Sequence, residues 1–166
     1  MESALEGVTL PVQTGNPITD VILSRWIAEA GKQIVSMETD FRYEDIKVDA
    51  YDIAIILNNG LENAVRAAAA VSAAGGQTGK VTLRSRRKES LFFIEIENDY
   101  SGEIIMDDRS ELPLSSSRRD DGSEHGLGLR NIKQSAEKYL GAMDIDLSKR
   151  DGRKIFTLTV MLIVGA

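Results

Sequence analysis

The chain has 166 residues, 42% of them hydrophobic, which is enough for one domain with a buried core. The net charge of −6 argues against nucleic acid as a partner, because nucleic-acid binding relies on basic side chains. The absence of cysteine excludes disulfides and thiolate metal sites, and no apolar run approaches the roughly 18 residues of a membrane span, so we expect a soluble, cytoplasmic domain without membrane contact.

The first part of the chain predicts a helix followed by a strand. Asn16 and Pro17 are typical of a helix start, because asparagine caps free N–H groups and proline has no N–H to satisfy. Apolar residues then recur at three- and four-residue spacing until Gly31, which is expected to end the helix in a left-handed conformation. Residues 35–41 alternate between apolar and polar, the pattern of a strand with one solvent-exposed face.

The middle of the chain predicts the longest helix and then a β-hairpin. Asp49 and Asp52 are three residues apart ahead of an apolar run and resemble a capping box, and Gly75 marks the expected end of this helix. Two alternating segments follow. In the second of them Asn98 faces the same side of the strand as the apolar residues, so the pattern places a polar side chain toward the core.

The last part of the chain predicts a long loop, a helix and a second hairpin. Periodicity disappears in residues 100–124, and a loop of this length in a compact domain is usually functional or disordered. A helix is expected from Leu129 until Gly141, and the final strands flank a turn at Asp151 and Gly152. The element order predicts an α/β (α+β) fold, a two-layer sandwich with three helices on one face of a mixed, mostly antiparallel sheet of about five strands.

Asn59 and Asn63 stand out in the longest predicted helix. They are four residues apart and therefore project from one helix face. Gly60 between them costs on the order of 1 kcal/mol relative to alanine, which suggests that local stability is given up for a function. The alternative is an exposed polar stripe in which Glu62 and Arg66 form an ion pair.

Two further segments could contribute to the same site. His125, Gly126 and Gly128 lead into the last predicted helix, where glycine lets the backbone approach a ligand and the free N–H groups favour an anion such as phosphate. A flexible turn is the alternative for this segment. Asn98, followed by a turn that reaches Gly102, is a buried polar candidate, although an asparagine that caps a strand end would show the same pattern.

In their order and spacing these segments resemble the N box (residues 59–64), the G1 box (residues 96–102) and the G2 box (residues 125–129) of histidine kinases. These kinases are a branch of the superfamily that includes gyrase, certain chaperones and mismatch-repair ATPases. The match is closest to the peptide quorum-sensing kinases and covers roughly residues 13–163. The resemblance implies a Bergerat-type ATP-binding domain over residues 14–166, with residues 1–13 as a linker remnant from an upstream dimerisation domain.

The resemblance also implies roles for individual residues of the N and G1 boxes. Asn63 is similar to the asparagine that coordinates Mg²⁺, and Asn59 would help hold the metal or orient the transferred phosphoryl group. Glu62 matches the catalytic acidic position ahead of Asn63. Asn98 stands where the family commonly has an aspartate that binds the adenine amine, and its amide oxygen can accept the same hydrogen bond. Gly102 matches the closing glycine of the G1 box.

For the G2 box the resemblance implies contacts to the ATP phosphates. Gly126 and Gly128 match the glycines whose amides cradle phosphate, and Arg130, together with Arg118 or Arg119 of the loop, is expected to neutralise phosphate oxygens. Residues 103–124 correspond to the ATP lid, mobile when empty and ordered by nucleotide. Further nucleotide contacts are expected from His125, Leu127 and Leu129.

The activity implied is that of a protein histidine kinase in two-component signalling. The domain would transfer the γ-phosphate of Mg-ATP to a histidine in a separate dimerisation domain and act on a response regulator indirectly. His125 is the only histidine and is expected to contact nucleotide or loop rather than accept phosphate. The isolated domain is therefore expected to be monomeric and to lack transfer activity of its own, within a dimeric, membrane-bound sensor.

Two other functions are compatible with the sequence. One is a single-domain module similar to the anti-sigma serine kinases, whose main work is to capture a protein partner. The other is a degenerate domain that no longer binds nucleotide. Three departures from the family pattern support the second alternative: Asn98 replaces an aspartate, while Tyr100 and Glu124 replace glycines.

Overall fold

A computed structural model describes residues 12–43, 46–113 and 127–165, in which three helices pack on one face of a five-stranded sheet. This confirms the predicted two-layer α/β sandwich with a mixed sheet. The helices are α1 (Pro17–Lys32), α2 (Ala50–Ala74) and α3 (Leu127–Glu137). The strands are β1 (Val35–Asp40), β2 (Gly79–Lys88), β3 (Leu91–Asp99), β4 (Ala142–Arg150) and β5 (Arg153–Ile163).

Strand pairing places β3 at the centre of the sheet. The strand order is β1-β2-β3-β5-β4, and only β1 and β2 are parallel, joined by the crossover helix α2. The other neighbours are antiparallel, as the two short predicted hairpins require. In the β4–β5 turn Asp151 and Gly152 both have positive φ, at 54° and 75°, the conformation that favours glycine in a tight hairpin. Alternate residues of β2, β3 and β5 fill the core under the helices.

Helix α1 begins as predicted but ends differently. The Asn16 side chain accepts hydrogen bonds from the backbone N–H groups of Ile18 and Thr19, at 3.0 and 3.1 Å. The predicted stop at Gly31 is wrong, because Gly31 continues the helix to Lys32 and the left-handed residue is Ile34, with φ 57°.

Helix α3 shows the same deviation at its end. It stops at Glu137, and Leu140 rather than Gly141 takes the left-handed conformation, with φ 54°. Gly141 has a packing role instead, since a Cβ there would lie 1.9 Å from the backbone oxygen of Met161 in β5. Gly141 is therefore required because the chain beyond α3 approaches β5 closely, a contact that the local sequence does not reveal.

Helix α2 starts at the predicted place without completing the predicted capping box. Asp49 caps the helix by accepting a hydrogen bond from the Tyr51 N–H at 2.9 Å. The Asp52 carboxylate does not accept a hydrogen bond from the Asp49 N–H, because Lys138 and Tyr139 beyond α3 bind it instead. The α2 helix ends at Gly75, as expected. Of the helices described, none has the length and apolar character that a membrane crossing requires.

Candidate functional site

The N box and the start of the predicted phosphate-binding helix meet at Asn59. The Asn59 Nδ2 group donates a hydrogen bond of 2.8 Å to the Ile55 carbonyl one turn earlier in α2. This bond fixes the amide, and a Cβ at Gly128 of α3 would lie only 3.1 Å from Asn59 Oδ1. Glycine at position 128 therefore lets the first turn of α3 approach Asn59 closely.

Gly60 has a structural reason that the sequence did not show. A Cβ at Gly60 would lie 2.5 Å from Ile96 Cδ1 of β3 and within 4 Å of Leu158 and Ile132. The glycine thus sits where α2, α3 and the sheet converge. This packing gives a structural reason for the cost in helix propensity, so Gly60 alone does not indicate a function, and the neighbouring Asn59 is oriented toward α3.

The other polar residues of the N box have different environments. Asn63 is half-buried one turn beyond Asn59. The side chain of Glu62 is 55% exposed and forms an ion pair of 3.2 Å with Arg66. The exposed polar stripe considered as an alternative is therefore present and accounts for Glu62 and Arg66. It does not account for Asn59, whose amide packs between two helices.

Asn98 is a buried polar residue at the end of the central strand. It is 5% exposed and pairs with Val81 of β2 and Phe156 of β5. Its Nδ2 group donates a 3.0 Å hydrogen bond to the Asp99 carbonyl, which leaves the amide oxygen as the end that can accept from a ligand. The Asn98 side chain thus keeps the acceptor that adenine recognition would need.

Basic residues at the start of β5 hold the G1 turn. Tyr100 N–H donates to the Lys154 carbonyl at 3.1 Å, and Lys154 Nζ donates to the Gly102 carbonyl at 2.8 Å. The same ammonium lies 5.9 Å from the Tyr100 ring centre, and Gly102 has φ 80°, which favours glycine. On the opposite strand face, Arg153 contacts the buried Asp99 carboxylate at 3.3 Å. Arg153 and Lys154 were not identified from the sequence, because the only local signal is two basic residues after a turn.

A cleft of about 550 Å³ adjoins this turn. It is bordered by the end of α2 with residues 75–77, by residues 99–102 and by residues 152–154. Asn59, Asn63 and Asn98 do not line the cleft. The cleft therefore lies beside the candidate site. Asn59 and Asn63 lie on α2, and Asn98 lies near the end of β3.

The described beginning of the predicted lid, residues 103–113, is a folded turn. Met106 and Pro113 form a bridge, and Leu112 is only 6% exposed. The Asp107 carboxylate accepts a 2.7 Å hydrogen bond from the Ser110 hydroxyl, and this bond, with backbone hydrogen bonds and the charge of Arg130, lowers the Asp107 pKa. The segment has no helix or strand, as the loss of periodicity predicts, and an aspartate turn orders its described part.

The predicted G2 residues fall into three groups. Leu127 and Arg130 are exposed on α3, and the Arg130 charge is one of the causes that lower the Asp107 pKa. The Leu129 side chain is buried, 3% exposed, so a ligand contact there could involve only its backbone. The remaining predicted contacts lie outside the described residues, namely Arg118, Arg119, His125 and Gly126, as does the departure at Glu124.

A buried carboxylate joins the start of α2 to the chain just beyond α3. The Asp52 side chain is 8% exposed and accepts hydrogen bonds from Tyr139 Oη at 2.5 Å and Lys138 Nζ at 3.0 Å. Burial alone would raise the Asp52 pKa, but the hydrogen bonds and the Lys138 charge outweigh it and lower the pKa. Burial and the bond to Asp52 raise the Tyr139 pKa, so its hydroxyl stays protonated and donates.

The lowered pKa of Asp52 predicts a pH-dependent contribution to stability. The contribution is fully present above about pH 4, the ordinary aspartate value, and is lost as the pH falls through the lower folded pKa. Asp52→Asn should therefore destabilise the domain by about 2 kcal/mol at neutral pH and by less in acid. Urea unfolding of both proteins across this range measures the difference. A difference that grew toward low pH would contradict the proposed ionised state.

Comparisons with known proteins identify the family and the fold of this chain. A family model described as GHKL domain matches residues 48–163. No curated protein matches the chain significantly. Among solved structures, the catalytic domain of the histidine kinase ThkA is 19% identical with a TM-score of 0.61, covering 92% of this chain and 94% of that one.

Two other histidine kinases show the same fold. The mycobacterial sensor histidine kinase MprB is 16% identical with a TM-score of 0.61, over 87% of this chain and 94% of its own. The Acinetobacter baumannii histidine kinase AdeS is 17% identical with a TM-score of 0.61, over 98% of this chain and 72% of its own. Identities this low show the fold alone, whereas the family model spans more than half of the chain. The resemblance inferred from the three boxes is confirmed, and the chain belongs to the GHKL domain family.

Proposed function

We propose that this domain binds ATP with Mg²⁺ and acts as the catalytic domain of a histidine kinase in two-component signalling. GHKL domains bind ATP, generally with Mg²⁺, which supports the choice of ligand. The observation that carries the proposal is the contact of Asn59 with Gly128, because it brings the polar face of α2 to the amino end of α3.

The amino end of α3 suits the phosphates. The first N–H groups of a helix have no carbonyl partner within it, and with the helix dipole they favour an anion. Gly128 keeps this backbone free of a side chain on the side that faces Asn59. Arg130, exposed on the same turn, adds positive charge. The backbone N–H groups at the start of α3 therefore bind and orient the phosphates, and Arg130 attracts their oxygens by its charge.

Asn63 would hold the metal. Its amide oxygen is the kind of ligand that Mg²⁺ accepts, and its place one turn beyond Asn59 puts it on the helix face that meets α3. When bound, Mg²⁺ would neutralise phosphate oxygens and fix their geometry. Asn59, whose Nδ2 is already bonded to Ile55, would keep its oxygen directed at the phosphoryl group without further ordering cost.

Asn98 would recognise the base. Because its Nδ2 is occupied by the Asp99 carbonyl, the Asn98 oxygen can accept from the exocyclic amine of adenine. The corresponding group of guanine is a carbonyl, which cannot donate. A buried acceptor facing a second acceptor is unfavourable, so the side chain selects adenine over guanine.

Asn98→Ala is expected to weaken the preference for ATP over GTP by about five- to tenfold, the size of one hydrogen bond. The affinity for ATP should fall, and the affinity for GTP should stay equal or rise, since the unfavourable carbonyl contact is removed. Calorimetric titration of both nucleotides in Mg²⁺ buffer measures the change. An equal preference before and after the substitution would contradict the role of Asn98 in base recognition.

Transfer of the γ-phosphate needs an acceptor from outside this domain. Glu62 is exposed at the surface of α2, where an incoming histidine could meet its carboxylate, and it would act there as a base after leaving Arg66. We propose a histidine in a separate dimerisation domain as the acceptor, a response regulator as the indirect partner, and an intracellular position within a membrane-bound sensor. The peptide quorum-sensing kinases are the class we favour.

The test is to incubate the domain with γ-labelled ATP and a histidine-bearing dimerisation domain, with and without Mg²⁺. The proposed function predicts Mg²⁺-dependent binding and transfer of label to the added histidine. Binding without transfer, together with phosphorylation of a serine on an antagonist protein, would support a module similar to the anti-sigma kinases. Absence of ATP affinity in either buffer would support a degenerate domain and contradict the proposal.

A further inference from the structure

Helix α3 is attached to α2 near both of its ends, by two different kinds of contact. At its amino end Gly128 packs against the Asn59 amide. Just beyond its carboxyl end Lys138 and Tyr139 bind Asp52 in the first turn of α2. We call Asp52, Lys138 and Tyr139 the anchor cluster. The two helices are thus antiparallel, and the anchor cluster lies opposite the phosphate-binding end.

The anchor cluster is a directional contact rather than an adaptable apolar one. The two carboxylate oxygens of Asp52 are used separately, one by Tyr139 and one by Lys138. Tyr139 Oη also accepts a hydrogen bond of 3.1 Å from the Asp49 N–H, so one hydroxyl caps α2 and holds the end of α3. Donors and acceptors in this arrangement define both the position and the rotation of the chain after α3.

Movement at the anchor cluster would be transmitted to the Asn59 contact. Ile132, fully buried, packs near Gly60 and lies between the two ends of α3. It is about 6 Å from Gly128 and about 9 Å from Lys138 along the helix axis at 1.5 Å per residue. A tilt about Ile132 that moves the anchored end by about 1 Å therefore moves Gly128 by a comparable amount, and a shift of this size strongly affects a preorganised site.

We propose that the anchor cluster positions α3 for phosphate binding, so that Asp52 and Tyr139 act on nucleotide affinity through Gly128 and Asn59. The inference rests on the proposed function, because it assumes that phosphate binds at the amino end of α3. In the proposed site the phosphates lie at the amino end of α3, at the opposite end from Asp52 and Tyr139. Changes in the anchor cluster should therefore lower the affinity for ligands that carry phosphate and leave binding of the base at Asn98 unchanged.

The test compares ADP with adenosine as probes. Tyr139→Phe should weaken ADP binding about tenfold and leave adenosine binding unchanged, since the base contact at Asn98 does not depend on α3. Lys138→Met, at a side chain 61% exposed, keeps the Tyr139 bond to Asp52 and should change the same ratio in the same direction by a smaller factor. Calorimetry or competition with a fluorescent nucleotide, below the unfolding temperature of each variant, gives both affinities.

Tyr43→Phe is the matched control. Among the described residues, Tyr43 Oη donates its 2.6 Å hydrogen bond to the Val48 carbonyl ahead of α2 and not to α3, so this variant loses one hydroxyl bond outside the anchor cluster. It should keep the ADP-to-adenosine ratio of the wild type.

Three results would overturn the inference. Wild-type ADP affinity in both Tyr139→Phe and Lys138→Met would show that the cluster only stabilises the fold. An equal loss for ADP and adenosine would show general loosening. If Tyr43→Phe lowered the ratio of ADP to adenosine affinity as much as Tyr139→Phe does, the effect would also be general loosening of the fold. Wild-type protein that binds neither probe would instead contradict the proposed function itself, so the two failures are distinguishable.

Discussion

Asn63→Ala is expected to abolish Mg²⁺-dependent nucleotide binding while the domain stays folded. The substitution removes the amide oxygen proposed to hold the metal, and without a ligand Mg²⁺ would be retained only by the phosphates. Replacing a residue that only hydrogen-bonds to a metal ligand already costs about 10- to 100-fold in affinity, so loss of a direct ligand should cost about 100-fold or more. Asn63 is half-buried on α2 and alanine favours helix, so stability should not fall.

The control for this variant is Asn58→Ala, the same change one helix position before Asn59. Asn58 Oδ1 accepts a 3.0 Å hydrogen bond from Trp26 Nε1 of α1 and therefore faces away from α3. It should lose about 1 kcal/mol of stability and keep its nucleotide affinity. Titration of ATP with Mg²⁺ and with EDTA separates the metal-dependent part. If Asn63→Ala still gained affinity from Mg²⁺ as the wild type does, the metal assignment would be wrong.

The second large effect is expected at Gly79, the first residue of β2. A Cβ at this position would lie 2.0 Å from the backbone oxygen of Ala68, an overlap that no side-chain movement can relieve. Gly79→Ala should therefore cost about 3 kcal/mol, the upper part of the range for overpacked positions, because α2 must rise from the sheet. Val81, two residues on, pairs with Asn98, so this displacement should also separate the N box from the strand proposed to bind the base and lower ATP affinity.

Gly31→Ala is the opposite case and serves as control. Within the described residues, a Cβ at Gly31 would meet no atom within 4 Å beyond its chain neighbours and the backbone of its own helix, and Gly31 is helical in α1. Alanine should stabilise this helix by up to about 1 kcal/mol. Urea unfolding of both variants measures whether each substitution raises or lowers the free energy of unfolding. A Gly79→Ala protein as stable as the wild type would show that α2 does not approach β2 as closely as described.

Features set by local chemistry were predictable from the sequence. The Asn16 cap with Pro17, the alternation that places Asn98 toward the core, and the turn at Asp151 and Gly152 each follow from a few neighbouring residues. For the site, the four-residue spacing correctly put Asn59 and Asn63 on one helix, and glycine at position 128 does allow close approach. The roles proposed for these residues in binding nucleotide stay predictions.

Features set by distant contacts could not be read from local sequence. Gly60 and Gly141 look like sacrificed helix stability and a helix stop. In the fold, a Cβ at Gly60 would lie 2.5 Å from the Ile96 side chain of β3, and a Cβ at Gly141 would lie 1.9 Å from the Met161 backbone oxygen of β5. Asp52 looks like part of a cap, and only the fold brings Tyr139 to it, 87 residues away. In each case a tertiary contact outweighed a local preference of about 1 kcal/mol.

The antiparallel pairing of β3 with β5 has a consequence for how the chain folds. The β2–β3 and β4–β5 hairpins join residues close in sequence, such as Lys88 with Leu91 and Arg150 with Arg153. The β3–β5 pairing joins Asp99 to Ile155 and can form only after a long loop closes. Hairpins form in about 1 to 10 μs, and distant strands pair more slowly. Docking of two preformed hairpins, rather than formation of either one, therefore limits the rate at which this sheet assembles.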